Sequence, residues 1–303
     1  MSTIQNTVQN TVQEFSTKEK PPWCPGCGNY SLHMAFKSAL AELYIPREKI
    51  VIVTGIGCAS KSNHYINVYG YESLHGRSVP TAAGIKLGNH ELTVIAESGD
   101  GDGYGIGSAH FLHSFRRNID MTYIVHNNAL YGLTTGQASP TTQKGMKTKS
   151  TPHGNLETPF NPLATAIASG ATFVARVFAG DIMHTKDVLK QAITHKGFAL
   201  VDALQPCVTF NKLNTYQWWQ QRIYKLEGRL EGQSEGYNQK NKTAALEKAF
   251  EEITSNYEKI PIGIFYREER PTYESETPQL KEKPLVKHAV AKDAIEAAFL
   301  EFV

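Results

Sequence analysis

Short apolar segments that end in glycine-rich or asparagine-rich turns recur along the chain, and they constrain its fold more than any other feature. The segments "KIVIVTGIGC" (49–58) and "ELTVIAESGDGDGYGIG" (91–107) read as buried strands that run into glycine-rich turns. Three more strands are predicted from "MTYIVHNN", "ATFVARVF" and "FALVDAL", with amphipathic helices among them. This alternation predicts an α/β fold with a doubly wound, mostly parallel sheet. In such sheets, ligands bind in the loops beyond the carboxyl ends of the strands.

Composition places few other limits on the function. The chain has 303 residues, of which 41% are hydrophobic, and this length fits one large α/β domain or two smaller ones. A net charge of +2 gives no electrostatic reason to expect binding to nucleic acid or to a membrane surface. No apolar run approaches the roughly 18 residues that a membrane span requires.

Three regions are expected along the chain. Residues 1–20 are polar and lack the apolar stretch of a signal peptide, so we expect a flexible or partner-wrapping leader on a cytoplasmic protein. Residues 21–215 carry the strand and helix pattern of the α/β domain, and residues 216–303 are expected to form a C-terminal helical and extended appendage. The loop at 134–162 is long for a compact domain, and we interpret it as functional.

The turn "SGDGDGYG" (98–105) places Asp100 and Asp102 among glycines after a strand. Glycines let backbone amides approach a phosphate, but a carboxylate gains from a phosphate only when a divalent cation lies between them. Magnesium prefers oxygen ligands, and "HNNALYG" (126–132) adds the Asn128 amide and the Leu130 carbonyl. The 28 residues from Asp100 to Asn128 fit one helix and a returning parallel strand. Each motif alone is also what an ordinary turn or loop contains; together they favour a magnesium site.

The four cysteines of the chain are a CxxC pair and two single residues at predicted loops or strand ends: Cys24, Cys27, Cys58 and Cys207. Four thiolates can hold either zinc or a [4Fe–4S] cluster. Zinc usually takes two close pairs, whereas one pair and two scattered residues favour a cluster. Zinc and unlinked buried cysteines remain alternatives on the residues alone.

The combination of GDG and a later NN resembles the thiamine diphosphate and magnesium motif of thiamine-dependent enzymes. That resemblance implies magnesium ligands from Asp100, Asn128 and the Leu130 carbonyl. It also implies a lining for the diphosphate, made by Gly101, Asp102, Gly132 and Leu133.

A wider resemblance covers residues 20–215 and extends to "KIPIGIFYREERPTYE". In order, "WCPGCGNY", "GIGCASK", "HGRSVPTAAGIKLGN", "GDGDGYGIG", "NNALYGLTTGQASPT" and "QPCVTFN" resemble the β subunits of 2-oxoacid:ferredoxin oxidoreductases, especially the 2-oxoglutarate (KorB-like) branch. The resemblance implies the diphosphate-type thiamine-binding fold and a [4Fe–4S] cluster on Cys24, Cys27, Cys58 and Cys207. It implies that the thiamine is bordered by Ile56, Gly57, Cys58 and Ala59.

Two further side chains acquire candidate roles from this resemblance. His75 of "HGR" would contact the cofactor, although without the motif it reads as a structural loop histidine. Lys61, three residues after Cys58, is a candidate partner for a substrate carboxylate, and its alternative is a solvated surface lysine. His64 is a weaker candidate that we interpret as structural.

The activity that the resemblance implies is oxidative decarboxylation of 2-oxoglutarate with coenzyme A, or the reverse reductive carboxylation. Electrons would pass through the cluster to ferredoxin. The activating glutamate is absent from the motifs here, and the family implies that it comes from an α (or fused γα) subunit in an (αβ)2 heterotetramer. Pyruvate or broad 2-oxo acid specificity is the alternative within this family. A non-redox thiamine enzyme and a zinc-stabilised binding protein are the alternatives outside it.

Overall fold

The structure is a computed structural model that describes residues 11–227, 236–289 and 292–301. The helices in this part of the chain are α1 Gly28–Glu42, α2 Ser78–Gly88, α3 Ser108–Arg117, α4 Pro162–Ala168, α5 Ile182–Thr194, α6 Tyr216–Gln220, α7 Lys242–Thr254, α8 Tyr273–Glu276 and α9 Lys292–Leu300. The strands are β1 Ile50–Thr54, β2 Tyr69–Glu72, β3 Thr93–Gly99, β4 Met121–Asn127, β5 Leu130–Tyr131, β6 Gln137–Ala138, β7 Phe173–Phe178, β8 Phe198–Leu204, β9 Ile223–Lys225 and β10 Ile260–Arg267.

Eight of these strands form one sheet in the order β2-β1-β3-β4-β8-β7-β10-β9, and β5 and β6 form a small separate pair. Every neighbouring pair in the large sheet is parallel except β7 and β10. The predicted α/β fold with a mostly parallel sheet is therefore confirmed. Because β1, β3 and β4 are adjacent and parallel, the turns that follow them meet at one edge of the sheet.

Helices cover both faces of the sheet, as the alternating side chains of its strands require. In β1, Ile50 and Ile52 face the core under α1 and α5, whereas Val51 and Val53 face the core under α2, α3, α4 and α7. All five residues of β1 are buried. A strand buried on both faces has the continuous apolar pattern that predicted it.

Parts of the expected leader and of the expected appendage pack against this domain. Within the expected leader, Phe15 is fully buried, and Ser16 forms an antiparallel bridge with Ile66. The earlier half of that leader lies outside the described residues. The expected C-terminal appendage adds β9 and β10 to the large sheet. Among the described residues, no helix has the length and apolarity to cross a membrane.

Candidate active site

A cavity of about 200 Å3 opens where β1, β3 and β4 end, and we call it the glycine cavity. It is lined by every residue predicted to bind magnesium or the cofactor: Ile56, Gly57, Cys58, Ala59, His75, Asp100, Gly101, Asp102, Asn128, Leu130, Gly132 and Leu133. The sheet thus brings together four segments that are far apart in sequence. Gly99, Tyr131 and Thr134 complete the lining, and sequence reasoning did not single them out.

The Asp100 carboxylate is buried at the end of β3, and hydroxyl groups hold one of its oxygens. Ser139 Oγ donates to Asp100 Oδ2 at 2.5 Å, and Thr141 Oγ1 donates to the same oxygen at 2.7 Å. Burial raises the pKa of Asp100 to about 6, and these hydrogen bonds only partly oppose the rise. Both hydroxyls come from the long loop interpreted as functional. A buried carboxylate whose charge is this costly suits a site where a cation binds.

Asn128 and Leu130 are held in a strained turn directly after β4. Ala129 between them has φ 58°, a left-handed conformation that residues with a β-carbon rarely adopt. Thr142 Oγ1 donates to the Ala129 carbonyl at 2.6 Å, and Leu130 N donates to Asn128 Oδ1 at 3.0 Å. The turn therefore presents the Asn128 amide and the backbone of Leu130 on the same cavity wall.

The second carboxylate of the glycine-rich turn holds His75 in place. Asp102 Oδ1 accepts from the backbone N–H of Gly76 at 2.6 Å and lies 2.7 Å from His75 Nδ1. Burial raises the pKa of Asp102, against the opposing effects of the Gly76 hydrogen bond and of His75. A β-carbon at Gly55 would lie 1.8 Å from Asp102 Oδ2, so only glycine fits at the end of β1.

Gly101 is needed for packing as well as for backbone exposure. A β-carbon on it would lie 2.3 Å from the ring of Tyr131, whose hydroxyl donates to the Gly101 carbonyl at 3.0 Å. The sequence motif alone explains this glycine by the close approach of a phosphate. The structure adds that an aromatic ring from the neighbouring turn already occupies one side of it.

A second cavity of about 90 Å3 adjoins the first, and we call it the cysteine cavity. All four cysteines line it and all are free thiols: Cys24, Cys27, Cys58 and Cys207. Burial raises the pKa of Cys27 to about 11, and the nearby Cys207, Cys58 and Cys24 raise it further, against the Asn29 backbone hydrogen bond. The thiols are close enough to influence one another electrostatically. Binding of a metal centre would favour their thiolate forms.

The three loops that carry the cysteines are tied together by hydrogen bonds. Trp23 Nε1 donates to the Cys58 carbonyl at 2.7 Å, which joins the first loop to the second. Gly28 N donates to the Pro206 carbonyl at 3.2 Å, which joins the first loop to the third. The fold of the chain itself therefore determines how the four thiols are arranged.

The two remaining candidates occupy different surroundings. Lys61 lines the cysteine cavity and lies close enough to Cys58 to lower the pKa of that thiol, although burial raises it more. His64 Nε2 lies 2.8 Å from Glu72 Oε2 in an exposed pair, which agrees with a structural role. Lys61 thus stands beside the cysteines.

The residues present fit both implied groups. Asp100, Asn128 and the Leu130 backbone offer the oxygen ligands that magnesium prefers, on one wall of a cavity lined with glycines. Among the described residues, no three His, Cys, Asp or Glu side chains are arranged to hold a single metal ion. The four thiols all line one cavity, and four cysteine thiolates are the ligand set of a [4Fe–4S] cluster.

Comparison with known families first defines the class of protein. Residues 55–203 match a family model described as "Thiamine pyrophosphate enzyme, C-terminal TPP binding domain". Residues 207–282 match a model for the C-terminal part of the pyruvate ferredoxin oxidoreductase beta chain. The first match spans the turns that form the glycine cavity, and the second begins at the last cysteine. The chain therefore contains the diphosphate-binding type of thiamine-enzyme domain.

Comparison with individual proteins then defines the family. The chain is 48% identical to "2-oxoacid:ferredoxin oxidoreductase 1, subunit beta" of Aeropyrum pernix, over 84% of this chain and 80% of that protein. It is 44% identical to "2-oxoglutarate oxidoreductase subunit KorB" of Mycobacterium tuberculosis, over 66% of this chain and 53% of that protein. The chain belongs to the family of β subunits of 2-oxoacid:ferredoxin oxidoreductases, as the sequence motifs predicted.

A solved structure agrees with this assignment over nearly the whole chain. The 2-oxoglutarate:ferredoxin oxidoreductase of Magnetococcus marinus, solved with 2-oxoglutarate, coenzyme A and succinyl-CoA bound, matches with a TM-score of 0.86. The match covers 97% of both chains at 32% identity. The alternative of another class, a zinc-stabilised binding protein, does not fit this membership.

Proposed function

We propose that this β subunit acts on 2-oxoglutarate in oxidative decarboxylation with coenzyme A, or in the reverse reductive carboxylation. In the oxidative direction carbon dioxide leaves, the remaining acyl group forms a thioester with coenzyme A, and ferredoxin takes the two electrons. Cys24, Cys27, Cys58 and Cys207 would hold a [4Fe–4S] cluster, which would supply one-electron transfer to ferredoxin.

The main support for the proposal is that the two cavities share a wall. Cys58, Asn128, Gly132 and Leu133 line both the glycine cavity and the cysteine cavity. A cofactor in the first cavity and a cluster in the second are therefore neighbours, as direct electron transfer requires. Non-redox thiamine enzymes need no such second cavity.

The residues of the glycine cavity orient the cofactor. Asp100, Asn128 and the Leu130 carbonyl would hold Mg2+, and Gly101, Asp102, Gly132 and Leu133 would line the diphosphate. Thiamine diphosphate supplies the carbon nucleophile and the electron sink for decarboxylation. Ile56, Gly57, Cys58 and Ala59 would border the thiamine. Asp102 fixes the ring of His75 through Nδ1, which leaves Nε2 available for the cofactor.

Lys61 is proposed to bind a substrate carboxylate. Its ammonium group comes from the turn that also carries Cys58, so a substrate bound to it would lie between the two cavities. Two kinds of relatives bear on the choice of substrate. KorB proteins and the Magnetococcus marinus structure favour 2-oxoglutarate, whereas the relatives named simply for 2-oxoacids keep pyruvate or broad specificity as the alternative.

The working enzyme is proposed to be an (αβ)2 heterotetramer that reduces ferredoxin. The α (or fused γα) subunit supplies the glutamate that activates the cofactor. The edge of the sheet supports such a partner, because Tyr69, Tyr71 and Leu74 are 62%, 54% and 76% exposed immediately before His75. Exposed aromatic and aliphatic side chains beside a cavity are typical of a protein interface.

The proposal is tested with the complex of this chain and its α partner. We expect iron with acid-labile sulfide, and reduction of ferredoxin or a dye that requires coenzyme A and is faster with 2-oxoglutarate than with pyruvate. The chain without its partner should be inactive. Faster reduction with pyruvate would contradict the substrate, zinc without sulfide would contradict the cluster, and no reduction by an iron-replete complex with any 2-oxo acid would contradict the reaction.

A further inference from the structure

Gln205 lies between the two cavities and contacts one candidate ligand of each. It follows β8 directly and is only 1% exposed. Its Oε1 accepts a hydrogen bond from Asn128 Nδ2 at 3.0 Å, and its Nε2 donates to Cys27 Sγ at 3.3 Å. One buried amide thus connects the magnesium wall to a cysteine sulfur.

The contacts of this amide determine which way it faces. Nε2 also donates to the Pro206 carbonyl at 2.9 Å, so both of its hydrogens have acceptors. The reversed amide would place its oxygen against the Pro206 carbonyl oxygen, which cannot donate. With Oε1 fixed, the NH2 group of Asn128 must face Gln205. Asn128 Oδ1 then stays on the side where Leu130 N donates to it.

The neighbouring backbone is built around this side chain. A β-carbon at Gly28, the first residue of α1, would lie 2.9 Å from Gln205 Cγ. The N–H of Gly28 donates to the Pro206 carbonyl. The CxxC loop therefore closes onto Gln205, and another side chain at the first position of the helix would separate them.

We propose that Gln205 is a positioning residue that raises the reduction potential of the cluster through Cys27 and orients Asn128 for magnesium. This inference rests on the proposed function, because the first effect requires a cluster on Cys27. Reduction adds one electron to the cluster and increases the negative charge on its sulfurs. A hydrogen bond to Sγ stabilises that charge, so the donor favours the reduced form.

Two substitutions separate the two roles of the amide. Gln205→Met keeps the length and the neutral charge but removes both the donor and the acceptor. Gln205→Glu keeps an oxygen for the Asn128 NH2 group and replaces the donor to Cys27 with a second oxygen. Gln217→Met is the matched control, because Gln217 is an exposed residue of α6.

The measurements are made on the full chain co-purified with its α partner. The first is the midpoint potential of the cluster in a redox titration followed by electron paramagnetic resonance. We expect the ratio of reduced to oxidised cluster at a fixed potential to fall about tenfold in both Gln205 variants, which equals about 59 mV for a one-electron couple. The second is the Mg2+ concentration for half-maximal binding of thiamine diphosphate. It should rise several-fold in Gln205→Met and stay near the wild-type value in Gln205→Glu.

The outcomes distinguish this inference from the proposed function. A lower midpoint in both Gln205 variants, with Gln217→Met unchanged, supports the donor role. A midpoint lowered only in Gln205→Glu would assign the effect to the added charge and overturn that role, as would wild-type midpoints in both variants. A role confined to folding would reduce the amount of cluster without changing its midpoint. A wild-type complex without iron and sulfide would instead overturn the proposed function.

Discussion

The parallel sheet has a carboxyl edge, where β1, β3 and β4 end, and an amino edge, where they begin. Both edges carry buried polar side chains, but those at the carboxyl edge line a cavity and those at the amino edge bond to one another and to the backbone. At the carboxyl edge, Asp100 and Asn128 line a cavity. At the amino edge, a group that we call the Asn118 network (Asn118, Asp120, Thr172, His195 and Glu274) is occupied with its own contacts. Asn118 Nδ2 donates to the carbonyls of Arg270 and Pro271, and its Oδ1 accepts from Thr172 Oγ1 and Phe198 N.

The buried Asp100 and the partly buried Asp120 show what this difference means. Burial raises the pKa of Asp100 to about 6, since the hydroxyl and amide donors that face it only partly oppose the effect of burial. Burial also pushes the pKa of Asp120 upward, but Lys86 at 3.0 Å and Lys196 at 3.3 Å outweigh burial, and the net pKa is lowered. A buried carboxylate that the chain neutralises itself stabilises the fold. A buried carboxylate that lines a cavity without such neutralisation fits the binding of a cation.

The comparison predicts opposite outcomes for Asp100→Asn and Asp120→Asn. Asp100→Asn should lower kcat/KM at least about 100-fold, because it removes a charged magnesium ligand. Its free energy of unfolding should not fall, since a neutral amide no longer carries a costly buried charge. Asp120→Asn should keep the activity of the folded complex but lose about 1–3 kcal/mol of stability. The measurements are the turnover and the urea denaturation of both variants. A large loss of stability in Asp100→Asn would contradict the view that Asp100 serves binding and Asp120 serves stability.

The Asn118 network should respond to changes in its central residue through stability alone. Asn118 has φ 49° at the C-terminal end of α3. Asn118→Ala removes its hydrogen bonds and leaves a β-carbon in a left-handed conformation, so we expect a loss of about 3 kcal/mol. Asn118→Gly loses the same hydrogen bonds but relieves the backbone, and should be about 1 kcal/mol more stable than Asn118→Ala. Equal unfolding free energies for Asn118→Ala and Asn118→Gly would show that the left-handed backbone at this position is not strained.

The features that could be predicted from sequence are those encoded in contiguous residues. The strands buried on both faces, such as Ile50–Thr54, are continuous apolar runs. Except for His75, the predicted residues of the glycine cavity stand in the turns right after such strands, so a parallel sheet alone was enough to gather them. The edge strand Tyr69–Glu72 has four exposed residues and no apolar pattern to mark it.

Features that depend on distant contacts could not be predicted in this way. Ser139 and Thr141 bond Asp100 across about 40 residues of chain, and the only signal for them was the unusual length of their loop. Gln205 stands directly before the "PC" of the third cysteine loop, but its contact with Cys27 spans 178 positions. Likewise, the burial of Phe15 follows from a surface that only the folded domain provides.

A pH dependence of stability is also predicted to originate in the Asn118 network. His195 Nε2 lies 2.9 Å from Thr172 Oγ1, and burial, assisted by Arg267, lowers the pKa of His195 from 6.5 to about 4. The unfolded chain therefore binds a proton at this residue at a higher pH than the native protein does. Stability from this group is complete above about pH 6.5 and is lost as the pH falls toward 4, by at most about 1.4 kcal/mol per pH unit. His195→Gln should flatten the dependence of the unfolding free energy on pH in that window, whereas the exposed control His153→Gln should not. An unchanged slope in His195→Gln would show that the acid sensitivity arises elsewhere in the fold. The titration of His195 would then not be a property of the amino edge that distinguishes it from the carboxyl edge.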